Sequence, residues 1–221
     1  MSPAPRLLTL DQALNQALSR HPALSAAAHE VAAAQVLSRQ ASARPNPELS
    51  ASVERTAQGR SVTVGVGLPL ELSGQRAARM AVARQDERLA AAQQAQERAR
   101  VLAEVRAAYQ DGVMAQAREA LADAGREMAA RALEAARKRV LAGKSSPLDE
   151  TRARVDLAQA ALAVKEAQAH ARSARLKLAT LMGEEGAPSF GRLQEAWAPT
   201  ERPAWPELAM RLEGSPWMAV E

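Results

Sequence analysis

Residues 148–182, LDETRARVDLAQAALAVKEAQAHARSARLKLATLM, decide the fold. Leu148, Val155, Leu162, Ala169 and Leu176 recur every seven residues, and Leu157, Val164, Ala171 and Leu178 recur every seven on a second line two positions later. A seven-residue recurrence marks a helix that packs along its length. Two positions at about 100° each set the lines roughly 200° apart, so this helix carries apolar stripes on opposite sides. A helix lying on one core needs a single stripe. Two opposed stripes predict a neighbour on each flank, as in the wall of a helical barrel.

Upstream of this helix, Ala142-Gly143-Lys144-Ser145-Ser146-Pro147 reads as a break between helices. It has a glycine suited to the C′ position, serines that can cap the next helix, and a proline at that helix's start. Residues 74–142 contain no proline and are dominated by helix formers, which predicts one helix of about 100 Å at 1.5 Å per residue. Gly112 and Gly125 lie inside it and cost only local stability. Nearer the N-terminus, Thr9 and Gln12 have capping-box spacing before Leu10, Ala13, Leu14, Ala17 and Leu18, and His21-Pro22 ends or kinks the helix they open. A second helix is expected over 22–43, stopped by Arg44-Pro45-Asn46-Pro47. The short, ascending and returning helices together nearly equal the long helix in length, so the long one can flank the others stacked end to end.

After that stop the period changes to two. Leu49, Ala51 and Val53 alternate with Ser50, Ser52 and Glu54, and Val62, Val64, Val66, Leu68 and Leu70 alternate with small or polar residues, with Ala57-Gln58-Gly59-Arg60 as the turn. Each strand is roughly nine residues or slightly more, the length a tilted strand needs to cross a bilayer. No other segment reads as strand, and an isolated hairpin is marginal in water, so its edges are expected to pair with other strands. Residues beyond 183 turn irregular, with Pro188, Pro199, Pro203 and Pro206 and the tryptophans Trp197 and Trp205. Then Leu208, Leu212 and Ser215-Pro216-Trp217-Met218 echo Leu14, Leu18 and His21-Pro22-Ala23-Leu24 at a constant offset, as if a second copy of the pattern were starting.

Composition narrows the function classes. Of 221 residues 47% are apolar, yet aromatics are 2% and alanine supplies much of the rest, which suits long packed helices better than a bulky core. The formal charge of +4 comes from arginines interleaved with acids along helices, and neither an aromatic stacking platform nor a reading helix accompanies them, so no nucleic-acid partner is expected. There is no cysteine, hence no disulfide, thiolate metal site or lipidated cysteine. The opening Met1-Ser2-Pro3-Ala4-Pro5-Arg6 has no apolar leader, so an exported form would carry its signal peptide outside this sequence.

Three stretches resemble the outer-membrane efflux protein family that includes TolC: residues 8–24, LTLDQALNQALSRHPAL; residues 44–49, RPNPEL; and residues 139–149, RVLAGKSSPLD. Residues 68–76, LPLELSGQR, further resemble its branch for cobalt, zinc, cadmium or copper export. The resemblance implies a mainly α fold: antiparallel helical hairpins of an α-barrel wall plus two transmembrane strands of a shared β-barrel, half of a protomer. It also implies a homo-oligomer, a trimer in the full-length family, sited in the cell outer membrane with helices in the periplasm. Its other partners would be outer-membrane lipid, a periplasmic adaptor protein and an inner-membrane pump.

Mapped on this chain, residues 1–21 are a short equatorial helix and 22–47 an ascending tunnel helix. Residues 48–72 are the membrane hairpin, 73–182 a long helical hairpin with its tip at 140–148, 183–207 a connector, and 208–221 the start of a truncated second repeat. The adaptor would meet the tip at Val140, Leu141, Ala142, Gly143, Lys144, Ser145, Ser146, Pro147 and Leu148. Leu49, Ala51, Val53, Val62, Val64, Val66, Leu68 and Leu70 would face lipid. With one repeat and a stub, the chain is expected to be a fragment, a truncated product or a half-length form that would need six copies to close the same ring.

Catalytic chemistry finds no constellation. His21, His29 and His170 are scattered, His29-Glu30 lacks the second histidine of a zinc helix, and Gly65-Val66-Gly67 is strand alternation with no helix following. Ser145 and Ser146 have no base within the tip. No enzyme, metal site or cofactor is expected, and passage would be passive diffusion along a gated, water-filled path. The rival reading is a soluble coiled-coil-like helical scaffold in which the hairpin is a small docking element.

Overall fold

Thr9 starts the helical part of the chain as its spacing to Gln12 requires. Its hydroxyl accepts the Gln12 N–H at 3.2 Å while its own N–H donates to Gln12 Oε1 at 3.2 Å, the reciprocal pair that caps α1 (Leu10–Arg20). His21 is the extended residue that precedes proline, and Pro22 opens α2 (Pro22–Ala41). The computed structural model describes residues 6–56, 59–71, 73–195 and 205–206.

β2 (Glu48–Thr56) and β3 (Gly59–Gly67) form an antiparallel ladder from Glu48↔Gly67 to Thr56↔Gly59. Gly59 and Arg60 therefore belong to the strand, where the sequence placed them in the turn; Ala57 and Gln58 lie outside the described residues. The ladder also ends sooner than the alternation suggested. Leu68 and Leu70 lie past Gly67, outside the ladder, because the register would set them against Pro47 and Pro45, which have no N–H to continue the pairing, and Pro69 lacks one too.

α3 (Gln75–Leu141) follows Gly74, which takes a left-handed φ of 75°. It ends in a Schellman turn: Lys144 N–H donates to Arg139 O at 2.8 Å and Gly143 N–H to Val140 O at 2.9 Å, with Gly143 at φ 68°. α4 (Pro147–Leu181) ends the same way, Glu184 N–H to Ala179 O at 2.9 Å and Gly183 N–H to Thr180 O at 3.0 Å, with Gly183 at φ 72°.

The expectation that only the hairpin is strand is corrected by β1 (Arg6–Leu8) and β4 (Phe190–Leu193), which pair in parallel as Arg6↔Phe190, Leu7↔Arg192 and Leu8↔Leu193. Both are too short to show an alternating pattern, and β4 falls in the stretch read as an irregular connector. Side chains of α3 hold them. Tyr109 Oη lies 2.9 Å from Leu8 O and 2.8 Å from Gln194 O, and the Gln116 amide donates to Leu193 O at 3.1 Å while accepting Leu193 N–H at 2.7 Å.

The chain divides into two units, one from the described residues of Met1–Leu24 and Glu97–Met210, the other from those of Ser25–Gln96. The first is built around Ala13 and Ala17 of α1, Val101, Val105, Ala108 and Tyr109 of α3, Leu178, Ala179 and Met182 at the end of α4, and Leu8, Phe190 and Leu193 of the parallel strands. Four of these twelve residues are alanines, and backbones approach closely where side chains are small. The Cβ of an alanine at position 112 would come within 2.4 Å of Leu193 Cδ1. In the second unit only Ala41 among the described apolar residues is buried. There Arg79 ties the end of α2 to the chain beyond β3, donating to Ala41 O at 3.1 Å and Ala43 O at 3.3 Å while pairing with Glu71, and Arg76 donates to Ser42 O at 2.9 Å. These guanidiniums satisfy carbonyls that a helix end leaves without partners.

Candidate functional site

The opposed stripes of α4 have different fates. Ala171 joins Ala115 of α3 in one apolar cluster, Leu178 joins Val101 and Val105 in another, and Val164 is buried. Toward the other end of α4, Arg137 of α3 reaches Glu150 at 3.3 Å. α3 partners thus descend in number as α4 partners ascend, the order of an antiparallel helical hairpin. The other line is open: Leu148, Val155, Leu162, Ala169 and Leu176 are all exposed, Leu162 at 57% against 0% for Leu178. α3 has a matching line that the sequence reading passed over. Met114, Leu121 and Met128 also recur every seven residues and are exposed, Leu121 at 74%. The heptad count that exposed the lines of α4 would have found it.

In the hairpin, register sorts the side chains by face. Leu49↔Val66, Ala51↔Val64 and Val53↔Val62 are directly opposed and so share one side, whereas Ser50↔Gly65, Ser52↔Thr63 and Glu54↔Ser61 share the other. The strand positions read as lipid-facing thus fall together except for Leu68 and Leu70, which lie beyond the ladder. The apolar side is uncovered, with Val64 66% exposed. Among the described residues neither outer edge of the two-stranded sheet is paired.

The tip residues 140–148 form a tightly bonded turn. Ser146 caps α4, its hydroxyl accepting the Leu148 N–H at 3.3 Å and its own N–H donating to Asp149 Oδ2 at 3.3 Å; the Ser145 hydroxyl also donates to Asp149. The Ser145 and Ser146 bonds hold the Asp149 carboxyl below the usual range. Both serines are thereby committed to capping. Glu150 is likewise lowered, first by its bond from Arg154 and then by Arg137, which clamps α3 to α4 next to the turn. The turn presents apolar side chains outward, Leu141 at 88% exposure and Leu148 at 54%.

No described helix is long and apolar enough to cross a membrane. Among the described residues no cluster of three or more His, Asp or Glu side chains could hold a metal. His21 Nδ1 accepts the Ala23 N–H at 3.2 Å in a local turn.

The family model described as outer membrane efflux protein matches residues 13–184. The cobalt-zinc-cadmium resistance protein CzcC of Cupriavidus metallidurans is 41% identical over 215 residues, covering 96% of this chain and 51% of CzcC. The chain therefore spans about half the length of that curated relative. Among solved structures, the outer-membrane channel OprN superposes with a TM-score of 0.69 at 25% identity, over 80% of this chain and 43% of OprN. CusC, a protein that undergoes transmembrane channel formation, superposes with a TM-score of 0.73 over 88% of this chain and 48% of CusC. At 19% identity that second likeness speaks to the fold alone.

Proposed function

We propose a function that proceeds from one premise: this chain belongs to the outer membrane efflux protein family, whose model matches residues 13–184. The chain supplies wall to an outer-membrane efflux conduit. Its hairpin is part of a shared β-barrel, its helices are part of a periplasmic tunnel, and solutes pass by diffusion through the assembled hole. Residues 1–21 and 183–207 form the equatorial part and its connector, 22–47 and 73–182 the tunnel, and 48–72 the membrane hairpin. Metal ions or small toxic compounds are the cargo, a reading supported by the likeness to a cobalt-zinc-cadmium resistance protein. The chain works as a homo-oligomer, a trimer in the full-length family. The turn at Val140–Leu148 is its contact with a periplasmic adaptor, supported by the exposed Leu141 and Leu148 on a frame fixed by two caps.

The observation that carries this reading is the hairpin ladder, nine residues on each strand with its apolar side chains on one uncovered face. A strand of that length, tilted about 40°, spans roughly 23 Å, close to the apolar band of an outer membrane. In water such a hairpin would expose that face and both edges.

The test is a pair of lysine substitutions one residue apart. Val64→Lys places a charge in lipid near the middle of the strand and should lower insertion into vesicles by about 2–4 kcal/mol, whereas Thr63→Lys faces the lumen and should cost far less. Equal losses would sink the transmembrane hairpin. A detergent-free, monodisperse protein with no vesicle association would favour the soluble scaffold instead.

A further inference from the structure

The charges of the ladder are sorted by face. Glu48 and Glu54 lie on the polar side, opposite Gly67 and Ser61, while Arg55 and Arg60 lie on the apolar side and oppose each other directly. Directly opposed residues in an antiparallel ladder have Cβ atoms roughly 5 Å apart, and like charges so placed repel. Among the described residues no carboxylate forms an ion pair with either guanidinium. The pair stands at the turn end of the stripe formed by Leu49, Ala51, Val53, Val62, Val64 and Val66, one residue short of the end of the ladder.

Resting on the transmembrane reading of the hairpin, we infer that Arg55 and Arg60 form a binding site for the phosphate groups of anionic lipid in the leaflet that the turn reaches. The argument is charge complementarity at a fixed depth. A nine-residue tilted strand nearly fills the apolar band, so both Cα atoms sit within one step of its boundary. From there each side chain can lay its methylenes along lipid and lift its guanidinium into the headgroups. Two forks side by side match phosphate oxygens, which accept paired N–H bonds, and a bound anion removes the repulsion that the ladder otherwise imposes. Lysine would supply the charge without the fork.

The test uses the full chain with neutral phosphatidylcholine vesicles and with vesicles containing phosphatidylglycerol, reading the protein retained after an alkaline carbonate wash, at low and at high salt. Surface attraction contributes a factor of about five per arginine, so insertion should favour the anionic vesicles by about thirtyfold at low salt. The double variant Arg55→Gln/Arg60→Gln should lose that preference yet insert in neutral vesicles as the parent does. Arg55→Lys/Arg60→Lys should keep part of it. A preference that survives in the glutamine variant would place the attraction on other basic residues and overturn the site. Equal insertion of the parent into both vesicles would overturn the site while leaving the transmembrane hairpin standing. A parent retained by neither vesicle would remove the hairpin reading and the site with it. A glutamine variant that fails in neutral vesicles, with the lysine variant intact, would assign the guanidiniums to carboxylates of a neighbouring copy and refute lipid binding.

Discussion

Two glycines of α3 should answer the same substitution with opposite signs. An alanine Cβ at position 112 would lie 2.4 Å from Leu193 Cδ1, more than 1 Å inside ordinary carbon contact, whereas at position 125 nothing lies within 4 Å. Leu193 has little room to retreat. It is 2% exposed, and its backbone is pinned by both bonds of the Gln116 amide, at 2.7 and 3.1 Å. Overpacking of this kind costs about 1–3 kcal/mol, while replacing a mid-helix glycine by alanine returns about 1 kcal/mol. Gly112→Ala should therefore destabilise its unit by about 1 kcal/mol and Gly125→Ala should stabilise by about 1 kcal/mol. Leu193→Ala alone should cost about 2–5 kcal/mol. In its background Gly112→Ala should turn stabilising, a coupling of about 1–3 kcal/mol that only direct contact can produce. Hydrogen exchange with mass spectrometry on peptides covering residues 101–116, 120–130 and 188–195 reads each opening energy locally. Equal stabilisation by both alanines, or additivity with Leu193→Ala, would refute the packing argument.

Tyr109→Phe should loosen β1 and β4 by about 1–2 kcal/mol, because Gln194 O loses its phenol donor while Leu8 O keeps the Gln194 N–H at 2.9 Å; faster proteolysis between residues 188 and 195 is the readout. Burial pushes the same phenol up. Its contribution is therefore full below pH about 10 and lost as pH rises through the higher folded value, so alkaline titration should open the same peptides. Asp149 has the opposite sign. The Ser145 and Ser146 bonds lower its pKa, so its contribution is present above the unfolded value near 3.9 and lost as pH falls through the folded one. Amide exchange at Leu148 and Asp149 should quicken in that acid window, and Asp149→Asn should abolish the dependence; an unchanged acid profile in that variant would count against the cap.

Legibility in the sequence followed the range of the forces involved. Local signals read correctly: the Thr9–Gln12 box, the proline stop at 45–47, the glycine at 143 and the seven-residue lines of α4 each depend on neighbours a few residues away. What was hidden depends on distant partners. β1 and β4 become strands because residues some 180 positions apart meet under Tyr109 and Gln116, and neither is long enough to show a period. Register was half visible. Alternation identified the apolar set, but only the pairing shows that Pro47 and Pro45 would face Leu68 and Leu70 and end the ladder before them, and that Arg55 opposes Arg60. Glu184 carries no local signal in the sequence. Partial burial pushes its pKa up, yet bonds from Ser189 and Gln16 outweigh that and hold it low, an environment built by α1 and the approach to β4.

The uncovered heptad lines carry a consequence for assembly. A two-helix hairpin buries one line of each helix against the other, and α4 has done so with Val164, Ala171 and Leu178. What remains is Leu148, Val155, Leu162, Ala169 and Leu176 on α4 and Met114, Leu121 and Met128 on α3, two unlike surfaces. A contact between unlike surfaces is head-to-tail, and repetition of such a contact closes a ring or runs on as a filament, whereas a self-complementary patch stops at a dimer. Leu162→Asp should spoil one surface and Leu121→Asp the other, each leaving its helices folded because both side chains are already exposed. Alone, neither variant should associate through its helices, since each lacks one half of that pairing. Mixed in equal amounts they should form a capped heterodimer, the intact α4 line of one against the intact α3 line of the other, visible as a doubled mass by light scattering. Homodimers of either single variant, or no heterodimer on mixing, would show that the lines are self-complementary or are covered by something other than this chain.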